Sequence, residues 1–541
     1  MEATVSQVLQ LTSELAHKLA LEKHRQTCTS SEPTETLQSS GLKGHEVKLL
    51  SEIRDRVVNA LHEHTERQIS ELKQSINQLT PIYRLPNEVF LHLFKLAHYL
   101  NPQERAAWKI SQVSRAWRQI ALNTPQLWSR IDVLNETFVE ACIARSADVP
   151  LEMKLEEPLR SSQPKNVAYH ITRAQEAAAE GCVATLLSHA HRWRSLSLER
   201  VAWHTFSPLL QTPAPLLEEL SLSHFPIGDL SSLEESWPRL RSLSLKHTFI
   251  PLTSPIYAGL VELRLHSVKT AVKPCHLLEA LKGSPLLEVL DLKELRIEPL
   301  TNPHPPPVRL SHLRLVKIWH MQSQHAQSIF SSIHAPPSLR IRCAQRFPMG
   351  GHLGGLLPSS DSLQETLPSL SCIKEMRFVL LEYGELVLHG NAGSTPLLYL
   401  KCLLKKKKDA AAIFRSLGHE LPLPNLEDLT IRGPVGAIVG ADDFASVLGG
   451  LSSLRCLRLK ACCPVFLSAL VVSTSHRVCP SMESLTIMDS GIDEQVLISL
   501  VASRVAWDKS ALKELSLSRC VGVGQATVLK LRSMVGAVVE I

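Results

Sequence analysis

One short phrase, LxxLxL, recurs along this chain and leaves little choice of architecture. It appears as "WRSLSL" at 193, "LEELSL" at 217, "LRSLSL" at 240, "LVELRL" at 260, "LEVLDL" at 287 and "LSHLRL" at 310. After a gap it returns as "IKEMRF" at 373, "LLYLKC" at 397, "LEDLTI" at 426, "LRCLRL" at 454, "MESLTI" at 482 and "LKELSL" at 512. Apart from that gap, neighbouring phrases lie 20 to 30 residues apart, which is room for one strand and one returning helix or loop. Side chains alternate along a strand, so the last two apolar residues of each phrase point inward and the residue between them points outward. One such strand cannot bury its apolar face alone, whereas parallel strands stacked side by side share a continuous core. The chain has 541 residues, well beyond the roughly 250 to 300 at which a single compact core stops growing, and an open-ended stack has no such limit.

The phrase is that of a leucine-rich repeat, but the repeat is irregular. The consensus continues to an Asn or Cys that closes the turn. Here Cys462 and Cys520 fit that place, while Val201, Phe225, Thr248, Val268, Leu295 and Ile318 occupy it elsewhere. A polar turn ladder is therefore mostly missing, and the two cysteines read as buried turn residues rather than nucleophiles. Between Pro336 and Cys372 the phrase fails, and "FPMGGHLGGLLPSSDS" reads as an irregular insertion; it lacks the lysine and hydroxyl of a phosphate loop. The outward positions are Ser197, Ser221, Ser244, Arg264, Asp291, Arg314, Arg377, Lys401, Thr430, Arg458, Thr486 and Ser516. They are expected to line a concave, partner-binding face. Arg264, Asp291, Arg314, Arg377 and Arg458 are its candidate substrate-binding residues, since arginine forks suit carboxylate or phosphate. Glu262 and Glu375, two residues before Arg264 and Arg377, are placed to neutralise them.

Ahead of the repeats lie helical segments. Residues 1–26 carry apolar positions compatible with an amphipathic helix, and "TCTSSEPTETLQSSG" reads as a polar linker closing a segment 1–43. In 44–80 the spacing of Ile69, Leu72, Ile76 and Leu79 predicts a charged helix. It either packs on its own protein or forms a short coiled coil with another copy. In "RLPNEVFLHLFKLAHYLNPQERAAWKISQVSRAWRQIALNTPQLWSRIDV", Pro86 suits the first position of a helix, with Glu88 in the first turn. Val89, Phe90, Leu93, Phe94 and Ala97 form one broad apolar face. Asn101, Pro102 and Glu104 predict a capped second helix running through Trp108. Ser111 predicts the cap of a third, whose Val113, Trp117, Ile120 and Ala121 share a face. Three short helices make a very small core, and such a unit commonly completes its burial against a partner.

"LPNEVFLHLF", "VSRAWRQIA" and "PQLW", in that order, resemble an F-box, the helical module by which substrate receptors dock onto the Skp adaptor of Skp-cullin-F-box ubiquitin ligases. More narrowly, the charged helix before these blocks and "FVEACIARSADVPLEMKL" after them are similar to the fungal, mushroom-type F-box-like proteins. The resemblance places Leu85, Pro86, Val89, Leu93, Val113, Trp117 and Ile120 at F-box pattern positions, either in the core or on the adaptor-facing side. "NPQERAAW" departs from the acidic-leucine pair the family often has there.

The net charge of +6 includes 52 acidic residues, so no dedicated nucleic-acid surface is expected. "MEATVSQVLQLTSELAHKLALEK" has no uninterrupted apolar run of a secretion signal. "CCPVFLSALVV" is shorter than the ~18 to 20 residues of a membrane span. The twelve cysteines form no CxxC pair or zinc spacing. No metal, cofactor or catalytic constellation is expected, and the chain reads as intracellular, cytoplasmic and/or nuclear. Lys405 to Lys408 suit either a nuclear import signal or a solvated loop.

The expected architecture is α/β: N-terminal helices and a three-helix F-box, then an irregular leucine-rich-repeat-like solenoid. Its expected segments are 1–43, 44–80, an F-box-like domain at 81–133, a connecting segment at 134–192, and an array at 193–541 with an irregular insertion near 336–372. The resemblance implies a non-enzymatic substrate-recognition subunit that binds a Skp-type adaptor, and through it a cullin, together with an unknown protein substrate. The alternative is an interaction scaffold of the same architecture outside any ligase.

Overall fold

In a computed structural model of the chain, the described residues are 35–100, 106–156, 173–225, 237–268, 270–298, 306–348, 350–381, 384–461, 465–472, 478–507 and 512–540, with isolated positions before residue 35. The chain divides into two units, Met1–Leu127 and Trp128–Ile541.

The first unit is helical. Helix α1 (Glu35–Leu79) begins inside the segment expected to be a linker, and its Ile69, Leu72, Ile76 and Leu79 are exposed. After a 3-10 turn at Pro81–Arg84 come α2 (Asn87–Leu100), α3 (Ala106–Val113) and α4 (Arg115–Leu122). The Pro86 carbonyl accepts from the backbone of Val89 and Phe90, so α2 starts where the Leu-Pro pair predicts. The cap expected at Ser111 is Ser114 instead. Its hydroxyl accepts from the Trp117 amide at 3.2 Å, whereas Ser111 lies inside α3 and donates to the Trp108 carbonyl. The cap expected over Asn101–Glu104 lies outside the described residues.

In the second unit the leucine phrases become strands of one 17-stranded sheet. The strands of this unit are β1 (Arg130–Ile131), β2 (Leu151–Glu156), β3 (Trp193–Glu199), β4 (Glu219–Ser223), β5 (Ser242–Lys246), β6 (Glu262–His266), β7 (Val289–Lys293), β8 (Val308–Arg309), β9 (Leu315–Trp319), β10 (Ile333–His334), β11 (Arg340–Arg346), β12 (Glu375–Leu380), β13 (Glu385–Ala392), β14 (Thr395–Leu403), β15 (Asp428–Arg432), β16 (Cys456–Lys460), β17 (Ser484–Met488), β18 (Glu514–Ser518) and β19 (Ala537–Glu540). The spatial order runs β1 to β7, β9, β11, β14, β13, β12, then β15 to β19, while β8 and β10 pair separately. The structure is thus mixed α/β, helices followed by a large and almost wholly parallel sheet.

The alternation is as expected for the inward leucines: Leu196, Leu198, Leu220, Leu222, Leu243 and Leu245 are at most 1% exposed. Connecting helices such as Trp203–Gln211, Pro274–Lys282 and Ala441–Gly449 bury their apolar sides as well. Farther along, Phe378, Phe414, Phe444 and Phe466 form a buried spine, with ring centroids 4.1 to 6.1 Å apart. The missing polar turn ladder is replaced by a backbone one. The residue after the strand is left-handed in Arg200, His224, His247, Ser267, Glu294 and His320, with φ of 52° to 54°. Each N–H donates to a carbonyl of the neighbouring strand at 2.7 to 2.9 Å, that of its last residue in every case but His320, whose partner is Ala344 inside β11. Left-handed backbone costs a non-glycine residue about 1 kcal/mol, and these repeated bonds hold it there. Gly433, at φ 105°, takes the same place after β15.

Four expectations are corrected. The segment 134–192 is no mere connection: β2 within it already belongs to the sheet, because Met153 and Leu155 stand in register with Leu196 and Leu198 although "PLEMKL" lacks two of the three leucines. The gap at 336–372 holds β11, an ordinary parallel strand in which Ile341 and Cys343 take the leucine places. The irregularity lies farther on, where β12, β13 and β14 form an antiparallel meander inserted in reverse order. β13 pairs antiparallel with both neighbours, β14 lies parallel to β11 and β12 parallel to β15. The array is therefore not parallel throughout. A two-residue turn at Gly393 and Ser394, with Gly393 at φ 60°, closes the β13–β14 hairpin. Finally, "LSHLRL" is out of register with its strand: Val316 and Ile318 are the inward pair, and Lys317 pairs with Asp291 where Arg314 was expected.

Candidate functional site

Two surfaces carry the candidate residues. In the helical unit, Phe90, Phe94 and Trp117 form an aromatic cluster with centroids 4.9 to 5.7 Å apart, and Tyr83 closes it at 6.3 Å. Ala106, Ala107, Ile110, Ala121 and Leu127 are buried in the same unit. Arg118 Nε donates to the Ser111 carbonyl at 2.8 Å and ties α4 to α3. The Trp117 Nε1 and Tyr83 hydroxyl are buried and have no hydrogen-bond partner among the described residues.

The seven pattern residues separate by burial. Leu85, Trp117 and Ile120 are half-buried, while Pro86, Val89, Leu93 and Val113 are exposed. Exposed Leu96 and Leu100 extend Val89 and Leu93 into a row at i, i+4, i+7 and i+11 along α2, at 40, 41, 53 and 64% exposure. Residues at that spacing share one helix face. The helix therefore turns its phenylalanines to its own core and an uncovered aliphatic stripe to the outside. Isolated surface leucines are ordinary, but a contiguous stripe is the mark of a docking face. The spacing showed the breadth of the apolar face; only the packing divides it between core and surface.

The second surface is the outward face of the sheet. Register aligns a central row: Ser197, Ser221, Ser244, Arg264, Asp291, Lys317, Arg342, Tyr399, His389, Arg377, Thr430, Arg458, Thr486 and Ser516. Arg264, Asp291, Arg377 and Arg458 stand in it. Arg314 does not: it precedes β9 and pairs with Glu288 at 3.5 Å. Lys401 lies two residues from the row, paired with Glu385 at 2.9 Å, and Tyr399 occupies the place expected for it. Arg342, Tyr399 and His389 are row members that the phrase did not mark.

Charge along the row is largely compensated. Arg264 pairs with Glu262 at 2.5 Å, and Arg458 pairs with Asp428. Asp291 is only 5% exposed and receives His266 Nε2 at 3.1 Å and Lys317 Nζ at 3.4 Å. Burial opposes its charge, but the His266 hydrogen bond and the His266 and Lys317 charges outweigh this and hold its carboxyl below the usual value. Arg377 makes no such pair with Glu375: among the described residues, neither its side chain nor that of Arg342 has a hydrogen bond or ion pair. At the turn edge, His247, Glu294, Arg296, His320, Gln322 and His325 border an open cavity of 680 Å³. Among the described residues no group of three or more potential metal ligands comes together.

Burial pushes the thiols of Cys142, Cys343 and Cys479 up to about 12 and so makes them poor nucleophiles, whereas Cys275 and Cys372 are exposed. Cys520 sits half-buried in its turn, its thiol 3.4 Å from the carbonyls of Ile487 and Ser518, while Cys462 lies outside the described residues. Lys405 to Lys408 are exposed just after β14. Among the described residues no helix is long and apolar enough to cross a membrane.

No curated protein matches the chain. Among solved structures the chain is similar to one in the crystal structure of the Rad7 and Elc1 complex in yeast, at 14% identity over 87% of this chain and 97% of that one, with a TM-score of 0.23. That likeness is too slight to inform the fold. The family profile described as F-box-like matches residues 82–133. This span contains the aromatic cluster and its aliphatic stripe, and residues 82–133 are an F-box-like domain.

Proposed function

We propose that this protein is a substrate-recognition subunit of a Skp-cullin-F-box type ubiquitin ligase, of the fungal F-box-like kind. Its F-box-like domain docks a Skp-type adaptor, and a cullin through it, while a leucine-rich-repeat-like array binds a protein substrate. The observation that carries this reading is the uncovered row Val89, Leu93, Leu96 and Leu100 on a domain matched as F-box-like. Covering each of these side chains is worth on the order of 1 to 2 kcal/mol, enough in sum for a stable complex once the cost of association is met. The protein itself is not an enzyme in this reading. It holds the substrate near the transfer machinery and so raises its effective concentration.

The test is calorimetric titration of the full chain with purified Skp-type adaptor, for wild type and for Val89→Glu with Leu93→Glu. Both side chains are exposed, so the double variant stays folded, checked by hydrogen exchange of residues 193–541. Loss of adaptor binding with intact repeats is expected. A folded wild type that binds no adaptor would turn the assignment to a scaffold outside any ligase.

A further inference from the structure

On the sheet face three of the five arginines and lysines of the central row, Arg264, Lys317 and Arg458, have a carboxylate partner, and the other two stand together in one stretch. The antiparallel β12–β14 meander inserts Tyr399 and His389 between Arg342 and Arg377, so that the four stand on four adjacent strands in the order Arg342, Tyr399, His389, Arg377. The two rings meet edge to face, with centroids 5.1 Å apart at 69°. The arginines on either side are exposed, and among the described residues their side chains have no hydrogen bond or ion pair. The inward neighbours Cys343, Leu398, Leu400, Leu388, Met376 and Phe378 are buried, so the strands that carry the four are anchored. On both sides carboxylates resume: Asp291 holds Lys317, and Asp428 holds Arg458.

We infer that Arg342, Tyr399, His389 and Arg377 form a binding site for an extended peptide segment bearing two anionic side chains, one on each arginine, with the aromatic pair under the residues between them. This rests on the reading of the repeat face as the substrate-binding element and names the chemistry it selects. The geometry sets the spacing. Neighbouring strands lie about 4.8 Å apart, so three steps from Arg342 to Arg377 span about 14 Å. An extended chain advances about 3.4 Å per residue, which puts the two acidic groups four residues apart. Guanidinium forks take carboxylate and phosphate alike, so aspartate or glutamate and a phosphorylated residue share the chemistry. A nucleic acid is disfavoured, because its evenly spaced phosphates would run onto Asp291 and Asp428 at the two ends of so short a strip.

The probes are fluorescein-labelled nine-residue peptides in an alanine, serine and glycine background, titrated into the full chain by anisotropy. One has glutamate at the third and seventh positions, one glutamine at both, one glutamate at the third and fifth, and one phosphoserine at the third and seventh; a labelled oligo-dT is the nucleic-acid arm. The acidic i,i+4 peptides are expected to bind at least about tenfold tighter than the glutamine peptide and tighter than the i,i+2 peptide. Arg342→Ala and Arg377→Ala are each expected to lose about tenfold, and Arg314→Ala, which stands off the row, nothing. Preference for phosphoserine over glutamate identifies a phosphorylated segment as the source, and parity identifies a carboxylate one. Equal or absent binding of acidic and neutral peptides, indifference to the two arginines, or tighter binding of oligo-dT through those arginines would each overturn the site. Adaptor affinity measured on the same preparation separates the two claims: adaptor binding without peptide binding refutes the site alone, and the converse refutes the ligase assignment alone.

Discussion

Arg504 presents a contest between two large effects. It lies in the helix Glu494–Trp507 at 3% exposure, and among the described residues no carboxylate pairs with it. Its Nη1 donates to the Cys479 carbonyl at 3.2 Å, and its Nη2 to those of Leu470 and Val478 at 3.0 Å each. Among the described residues Nε has no partner, and burial lowers the affinity of the guanidinium for its proton. Replacing the side chain with methionine keeps much of the apolar stem and relieves a desolvation penalty of several kcal/mol. It also strands the buried Leu470 and Val478 carbonyls, at about 1 to 3 kcal/mol each, while the Cys479 carbonyl keeps the Met482 N–H at 3.2 Å. Two orphaned acceptors and a weakened third outweigh one relieved cation, so Arg504→Met should destabilise by about 1 to 3 kcal/mol. Arg504→Lys should fare no better: a compact, strongly hydrated ammonium reaches fewer of the three carbonyls and costs more to bury. Repeat arrays need not unfold in one step. The measurement is therefore urea unfolding combined with native-state hydrogen exchange, read over residues 465–507. A methionine variant as stable as wild type, or more so, would show that desolvation wins and that the guanidinium is tolerated rather than stabilising.

Two further predictions follow from the sheet. Leu243→Ala removes a side chain with no exposure and should cost about 2 to 5 kcal/mol, whereas Ser244→Ala on the opposite face should cost under about 0.5 kcal/mol; equal losses in denaturant melts would overturn the inward and outward assignment. Asp291→Asn should cost about 1 to 3 kcal/mol at neutral pH, since His266 and Lys317 lose their counter-charge. Because the folded carboxyl lies below its ordinary value of 3.8, the stability it contributes is present above that pH and lost as pH falls through the lower folded value. The gap between wild type and variant should therefore close under acid, and a gap that persists at the lowest pH of native folding would refute the ionic role.

The residues alone determined the strands and their parity. Alternation along a strand is a local property with a period of two, so "LRSLSL" could be divided into buried Leu243 and Leu245 and outward Ser244 without knowledge of any neighbour. The same rule placed Arg264, Asp291, Arg377 and Arg458 on the outward face, and the ordered blocks from Leu85 to Trp128 marked the F-box-like domain. Strand adjacency is not local, and there the phrase was blind. It missed β2 and β11, whose inward places hold methionine, isoleucine and cysteine, and it set Arg314 where Lys317 belongs. The Gly393–Ser394 turn was the available signal for a hairpin, yet nothing short of pairing could show that β12, β13 and β14 enter the sheet in reverse order. In the helices the limit was similar. Val89, Phe90, Leu93 and Phe94 form one apolar arc by spacing, and only the meeting of Phe90 and Phe94 with Trp117 decides that the phenylalanines are core while the aliphatic row stays open. A period says which residues share a face; what covers that face depends on chain segments far away in sequence, and that is decided only when they pack.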